Sequence, residues 1–415
     1  MDSASGVHRQ STSSTAAPRA RSLSPVFWWL WAGNLLSALA MFVLPFLAMY
    51  LTSRGLRPSR VGLVVSCFSV GALLAGPAAG SLADALGRRR TLLLALVGSA
   101  ASAASLALVR QPLAVAAVVL CFGASMSASR APMRAIVGDV VEPAGLARAF
   151  GWIYWAENVG ASVSLMVGGL LAAGGWTLPF LVDACTTLGF AAVVLLRVPE
   201  TAPAPLAVQE VSLERVGYGS VLRDRGFLAL LGLILLVDVV YTQAMVSLPV
   251  DMGLRGFSAR AFGFNGALSA ALVVVLQPFS ARLLRPLSTP RTLALGALLI
   301  ALGVGGYAVC TSLGGIMITT AVWTLGEIAF FSTAGATASA LAPPHARGRY
   351  MGAYSFCFSI GGIAAAAIGP AVLEAFGPRL LWPASLTLGA CAAAGLLEWG
   401  RRHQPARGKT VRAVA

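Results

Sequence analysis

The chain has 415 residues, 57% of them hydrophobic and only 11% charged, and its mean hydropathy is +0.80. A water-soluble globule of this size lacks the polar surface to cover so apolar a chain, so the composition excludes a soluble enzyme and points to an integral membrane protein. The net charge of +15 does not point to nucleic acid, because the arginines sit in short segments between apolar runs, where membrane topology places them.

Residues 1–24 are rich in Ser, Thr, Ala and Arg with a single acid, Asp2. That composition fits either an organellar transit peptide or a disordered cytoplasmic tail, and the second is favoured because no apolar targeting segment precedes the first span. A hydrocarbon core of about 30 Å needs about 20 apolar residues of helix. Twelve stretches meet or approach this, near 26–51, 61–82, 91–109, 113–136, 150–173, 178–196, 227–250, 261–281, 292–311, 314–340, 350–373 and 380–398. They divide into six-helix halves, residues 25–196 and 227–399, giving an all-α integral membrane fold. Between them, residues 197–226 read as a cytoplasmic linker, with Pro199, Pro203 and Pro205 and a short amphipathic helix near Val211 to Leu222. Residues 400–415 form a basic tail. With the N-terminus inside, 22 Lys and Arg fall on the cytoplasmic side and 7 on the other, so both termini are expected in the cytoplasm.

The two halves are related in sequence. Pro77–Leu92 lies over Pro278–Leu293 at an offset of 201 residues, pairing Pro77 with Pro278, Leu82 with Leu283 and Arg90 with Arg291. The same offset pairs Arg54-Gly55 with Arg255-Gly256, Gly62 with Gly263 and Gly151 with Gly352. Internal repeats of this length in a membrane chain build two halves around an axis along the membrane normal, with a solute site between them.

The loop after span 2, Gly80-Ser-Leu-Ala-Asp84-Ala-Leu-Gly87-Arg88-Arg-Arg90, resembles the signature of the major facilitator superfamily, departing from it at Ala85. Arg130-Ala-Pro-Met-Arg-Ala-Ile-Val-Gly-Asp139, Trp323-Thr-Leu-Gly326-Glu327 and Gly348-Arg-Tyr-Met-Gly-Ala-Tyr354 resemble the drug:proton antiporter branch. The early span 4 arginine of that branch is missing from Val118–Gly123, and its span 5 pattern is eroded to Ser164-Leu-Met-Val-Gly168-Gly169. The resemblance implies a twelve-span secondary transporter with a pseudo-symmetric major facilitator fold, in which spans 1, 4, 7 and 10 line a central cavity. It also implies export of a small amphiphilic or cationic compound in exchange for protons, by a monomer in a bacterial plasma membrane.

Asp84 falls at a helix C-terminus, where the dipole disfavours an anion, so a partner must hold it. Arg88 is the candidate, with Asp139 sharing that arginine and the N-terminus of span 11 near Tyr350 adding positive potential. Gly80, Asp84, Gly87, Arg88 and Asp139 thus form a candidate latch, closed when the cytoplasmic ends of the halves meet. The simpler role of Arg88–Arg90 is to set topology.

A carboxylate within hydrocarbon is expensive and marks function by default. Asp238 in span 7 and Glu327 in span 10 lie near mid-membrane, Glu157 more than one turn into span 5, and Asp183 about one turn from the outer end of span 6, where a structural role is as reasonable. Arg130 either pairs with Glu157 or meets an anionic solute. Tyr241 follows Asp238 by three and Trp323 precedes Glu327 by four, so each acid shares a helix face with an aromatic ring, suiting a lipophilic cation or ordinary ring packing. Asn34 in span 1 adds a polar group to the cavity or bonds a neighbouring helix. Cys67, Cys121, Cys185, Cys310, Cys357 and Cys391 are scattered singly, without spacing for a metal or a disulfide framework. His8, His345 and His403 lie in tails or loops, and no phosphate loop with a lysine occurs, so no enzyme, metal or cofactor is expected. The expected partners are a small solute, protons and the lipid bilayer. An uptake or uniport carrier, and a non-transporting receptor on the same fold, are the alternatives.

Overall fold

The computed structural model describes residues 23–142, 145–201, 219–343 and 346–403, and these residues form fourteen helices and no strand. Span 1 is two helices, α1 (Pro25–Leu39) and α2 (Val43–Ser53). The rest of the first half is α3 (Pro58–Leu86), α4 (Arg88–Leu108), α5 (Pro112–Val140), α6 (Leu146–Ala172) and α7 (Thr177–Arg197). A five-residue α8 (Gly219–Arg223) precedes α9 (Arg225–Leu254), α10 (Ala259–Leu284), α11 (Thr289–Gly306), α12 (Leu313–Leu341), α13 (Arg347–Phe376) and α14 (Pro378–His403). The amphipathic helix expected near Val211 to Leu222 falls largely outside the described residues, as do most of both tails, although α14 extends through residues 400–403.

Local chemistry sets many of the boundaries. Proline opens α3, α5 and α14, where its missing N–H costs nothing. Ser24, Asp224, Ser258 and Ser312 cap α1, α9, α10 and α12 by accepting backbone N–H bonds. The repeat is visible in the turns: Gly55 and Gly256, one at the end of each half's first span, adopt φ of 77° and 81°, a region that favours glycine.

Eleven segments are long and apolar enough to cross a membrane. The remaining span, α6, carries Arg148, Glu157 and Asn158 among its 27 residues, yet at about 40 Å it has the length to cross.

In the first half α5 packs on α3 and α4, α4 on α7, and α1 on α6 and α7. In the second, α9 packs on α13 and α14, α11 on α12 and α14, and α10 on α12. The halves meet through α3 with α13, α6 with α10, and α2 with α9; the first two are the same contact seen from each repeat. These contacts gather at the end away from the termini. A Cβ on Gly62 would strike the Ala366 carbonyl, Phe46 meets Phe262 edge-on at 5.5 Å, and the Ser59 N–H donates to Glu374 Oε2 at 2.8 Å. At the terminal end the halves have separate packing. A cluster of Phe27, Leu30, Leu92, Ile136 and Val194 belongs to the first half alone, while Phe227 stacks obliquely on Tyr350 within the second, 4.5 Å between centroids.

Candidate transport cavity

Between α6, α10 and α12 lies a cavity of about 390 Å³ lined by Tyr154, Asn158, Val273, Gln277, Glu327, Ile328, Phe331 and Ser332. Glu327 is its only acid. Tyr241 on α9 donates its hydroxyl to Glu327 Oε1 at 2.9 Å and packs edge-on against Phe331 at 5.0 Å. The aromatic shelf continues through Phe358, 5.8 Å from Phe331, to Tyr354, 4.9 Å beyond. A carboxylate with one neutral hydrogen-bond donor, aromatic faces and nearby side-chain amides suits a cation carrying apolar bulk. A larger depression of about 480 Å³ where α6 meets α10 is lined almost wholly by apolar groups such as Met166, Phe264 and Leu313. It has nothing to orient a polar solute, so the smaller cavity is the candidate site.

The expected site residues separate into layers. Glu327 stands on the cavity wall, with Tyr241 behind it. Trp323 is buried one turn away and does not line the cavity: its Nε1 donates to the Tyr307 hydroxyl at 2.7 Å, and its ring packs edge-on against Tyr241 at 5.6 Å. Asp238 is 5% exposed and lies between α9 and α13 rather than on the cavity wall; its Oδ2, without a hydrogen-bond partner, rests where a Cβ on Gly361 would be. Glu157 is exposed one residue before Asn158. Arg130 and Arg134 lie within electrostatic reach of it, but none of the ion pairs among the described residues includes it. Asn34 keeps its Nδ2 buried and unbonded.

At the terminal end Arg88 forms an ion pair with Asp139. Gly87, at φ 97°, turns the chain from α3 into α4. The next arginine, Arg89, donates from its guanidinium to the Val194 and Leu195 carbonyls at the end of α7, and its backbone N–H donates to Glu200 at 3.2 Å. These contacts join the first half to itself and to the start of the linker. Tyr350 of the second half donates to Asp224 Oδ2, at the end of the linker, at 3.0 Å. The surroundings of Gly80 and the side chain of Asp84 lie outside what the structure describes.

Sequence reasoning directed at charges passed over Asn158, Gln277, Tyr154 and Ser332. The available signal was an amide within a membrane helix, which needs a hydrogen-bonding partner as a carboxylate does.

Two repeats of six spans, closed at one end around a polar cavity, define a secondary-transporter architecture. The family model of the Major Facilitator Superfamily matches residues 30–366 and 256–413. The chain belongs to that superfamily and is a multi-pass membrane transporter. It is 27% identical over 342 residues to the multidrug resistance protein MdtH of Aeromonas salmonicida, covering 81% of this chain and 84% of the relative. It is 25% identical over 365 residues to the uncharacterized MFS-type transporter YqjV of Bacillus subtilis, covering 86% and 88%. The fold matches that of the nucleoside transporter NupG with a TM-score of 0.78 at 14% identity, over 90% of this chain and 99% of the other. A POT family transporter in complex with 5-aminolevulinic acid matches with a TM-score of 0.74 at 14% identity, over 91% and 96%.

Proposed function

We propose that this transporter exports a small cationic or amphiphilic compound in exchange for protons. The observation that carries the proposal is the single acid of the cavity, Glu327, held by Tyr241 and faced by Asn158, Gln277 and Phe331. A carboxylate far from bulk water is costly when bare, so it is neutralised either by a proton or by a cationic solute. Competition between the two produces antiport: the solute displaces the proton, and the returning proton releases the solute. The arginine distribution, 22 against 7, supports an orientation with both termini in the cytoplasm of a bacterial cell. Cargo then enters from inside, and rocking of the halves about the α3–α13 and α6–α10 seams presents it outside. The MdtH relatives, named for multidrug resistance, favour the same direction.

A second reading, uptake or uniport of a metabolite with an anionic group, draws on Arg130 and Arg134 near the exposed Glu157. Proton release on adding cationic cargo to detergent-solubilised protein separates the two. Export by exchange predicts release from the wild type and none from Glu327→Gln. A wild type that releases no protons refutes the exchange reading; release retained in Glu327→Gln moves the carrier to Asp238, tested by Asp238→Asn.

A further inference from the structure

Among the described residues, span 1 alone is divided into two helices. Pro45 contributes, having no N–H and a ring that would clash with the Met41 carbonyl of a continuous helix. Proline alone does not divide these spans, since α5, α9, α10, α13 and α14 run through Pro132, Pro249, Pro278, Pro370 and Pro383. The break leaves backbone donors buried at the start of α2. Asp183 on α7, only 3% exposed, captures them, its Oδ2 accepting from Phe42 N–H at 2.9 Å and Val43 N–H at 3.0 Å. One turn along, Thr187 Oγ1 lies 3.3 Å from Ser37 Oγ, fixing the end of α1 to the same helix.

The two pieces of span 1 have different neighbours. The main contacts of α1 are with α6 and α7 of its own half, whereas α2 also reaches across to α9. Thr52 lies against Gly253, and Phe46 against Phe262. Phe42 and Phe46 fill the notch at Gly168, where a Cβ would come within 2.7 Å of both rings. The repeat supplies a control. At the 201-residue offset Pro45 corresponds to Val246 and Asp183 to Ala384, and the matching helix, α9, runs unbroken from Arg225 to Leu254. α9 has a proline of its own, Pro249, and stays continuous, so what sets the broken span apart is Asp183, placed to accept the freed donors where the second half has Ala384.

We propose that α2 is a separate gate helix closing the outer end of the transporter, and that Asp183 is the positioning residue that seats it. The proposal rests on the alternating-access reading above. A carboxylate at the first turn of α2 satisfies its donors and its positive dipole end together. With α2 seated the outer end is shut, and release of α2 from the seam opens the outer end without disturbing α1.

The test uses Thr52→Cys as an outside-accessible thiol in a background without the native cysteines, combined with Asp183→Ala and Asp183→Asn. The alanine leaves the Val43 N–H unpaired and the Phe42 N–H with only the Ala40 carbonyl. Labelling should accelerate about tenfold in Asp183→Ala and by less in Asp183→Asn, which keeps one acceptor, with cargo affinity unchanged in both. If Asp183→Ala does not fold, Asp183→Asn decides. Labelling at the parent rate, or faster labelling accompanied by lost cargo affinity, overturns the proposal. Parent labelling that fails to respond to cargo refutes alternating access itself, a different outcome from a responsive parent with unresponsive Asp183 variants.

Discussion

Gly169→Ala should open the outer end while leaving the fold of each half intact. A Cβ at Gly169 on α6 would sit 2.8 Å from the Ala259 carbonyl oxygen and 3.0 Å from the Gly263 Cα on α10. Both are backbone atoms and cannot rotate aside, so the helices must part by about half an ångström, and overpacking of this kind costs about 1–3 kcal/mol. Because the contact joins the two halves, the cost falls on the outer-closed state and shifts the equilibrium toward outer-open by about 5- to 150-fold. Gly123→Ala is the internal control. Its Cβ would strike the Phe68 carbonyl oxygen, a more severe backbone clash than at Gly169, but α3 and α5 belong to one half. Spin labels at Thr177 and Leu254, on opposite halves at the outer end, report the balance as a distance distribution. The reasoning predicts a longer distance in Gly169→Ala with little loss of thermal stability, and the reverse in Gly123→Ala. An unchanged distance in Gly169→Ala, with a melting temperature lowered as in Gly123→Ala, would refute it.

Tyr241→Phe removes the neutral donor to Glu327 and should weaken binding of cationic cargo by about tenfold in equilibrium dialysis, while neutral compounds bind as before. Glu374→Gln should loosen the outer seam, seen as faster labelling at Thr52→Cys with cargo affinity retained, because the Ser59 N–H then loses a charged acceptor. Arg88→Ala or Asp139→Asn should raise the labelling of a cytoplasmic-gate cysteine without changing cargo affinity, and lost affinity with unchanged labelling would remove the latch. A reporter fused after Ala415 should register as cytoplasmic, since the arginine asymmetry predicts that side.

The sequence carried the architecture because hydrophobic length and the 201-residue repeat are written in residue types. The repeat paired Arg54-Gly55 with Arg255-Gly256, and both glycines have positive φ. The sequence paired Tyr241 with Asp238 and Trp323 with Glu327 by helical spacing; the hydrogen bond that forms, from Tyr241 to Glu327, depends on how α9 and α12 rotate about their axes. Trp323 and Glu327 share one face of α12 and both touch Tyr241; one turn of depth separates the buried Tyr307 contact from the cavity wall. Asp238 had the clearer mid-membrane position, but depth does not report azimuth, and its carboxyl points at the Gly361 notch. The break in span 1 was hidden by an unbroken apolar run. Pro45 marked it, and the role of Asp183 emerged only when α7 was brought beside it.

The central claim is exchange of a cationic solute for protons at Glu327. Its most direct measurement is uptake of a fluorescent organic cation into inverted membrane vesicles containing the transporter, with and without an acid-inside pH gradient. The account predicts accumulation against the cation's own gradient only when the pH gradient is present, and its loss in Glu327→Gln. Accumulation that ignores the pH gradient, or that persists unchanged in Glu327→Gln, would contradict it.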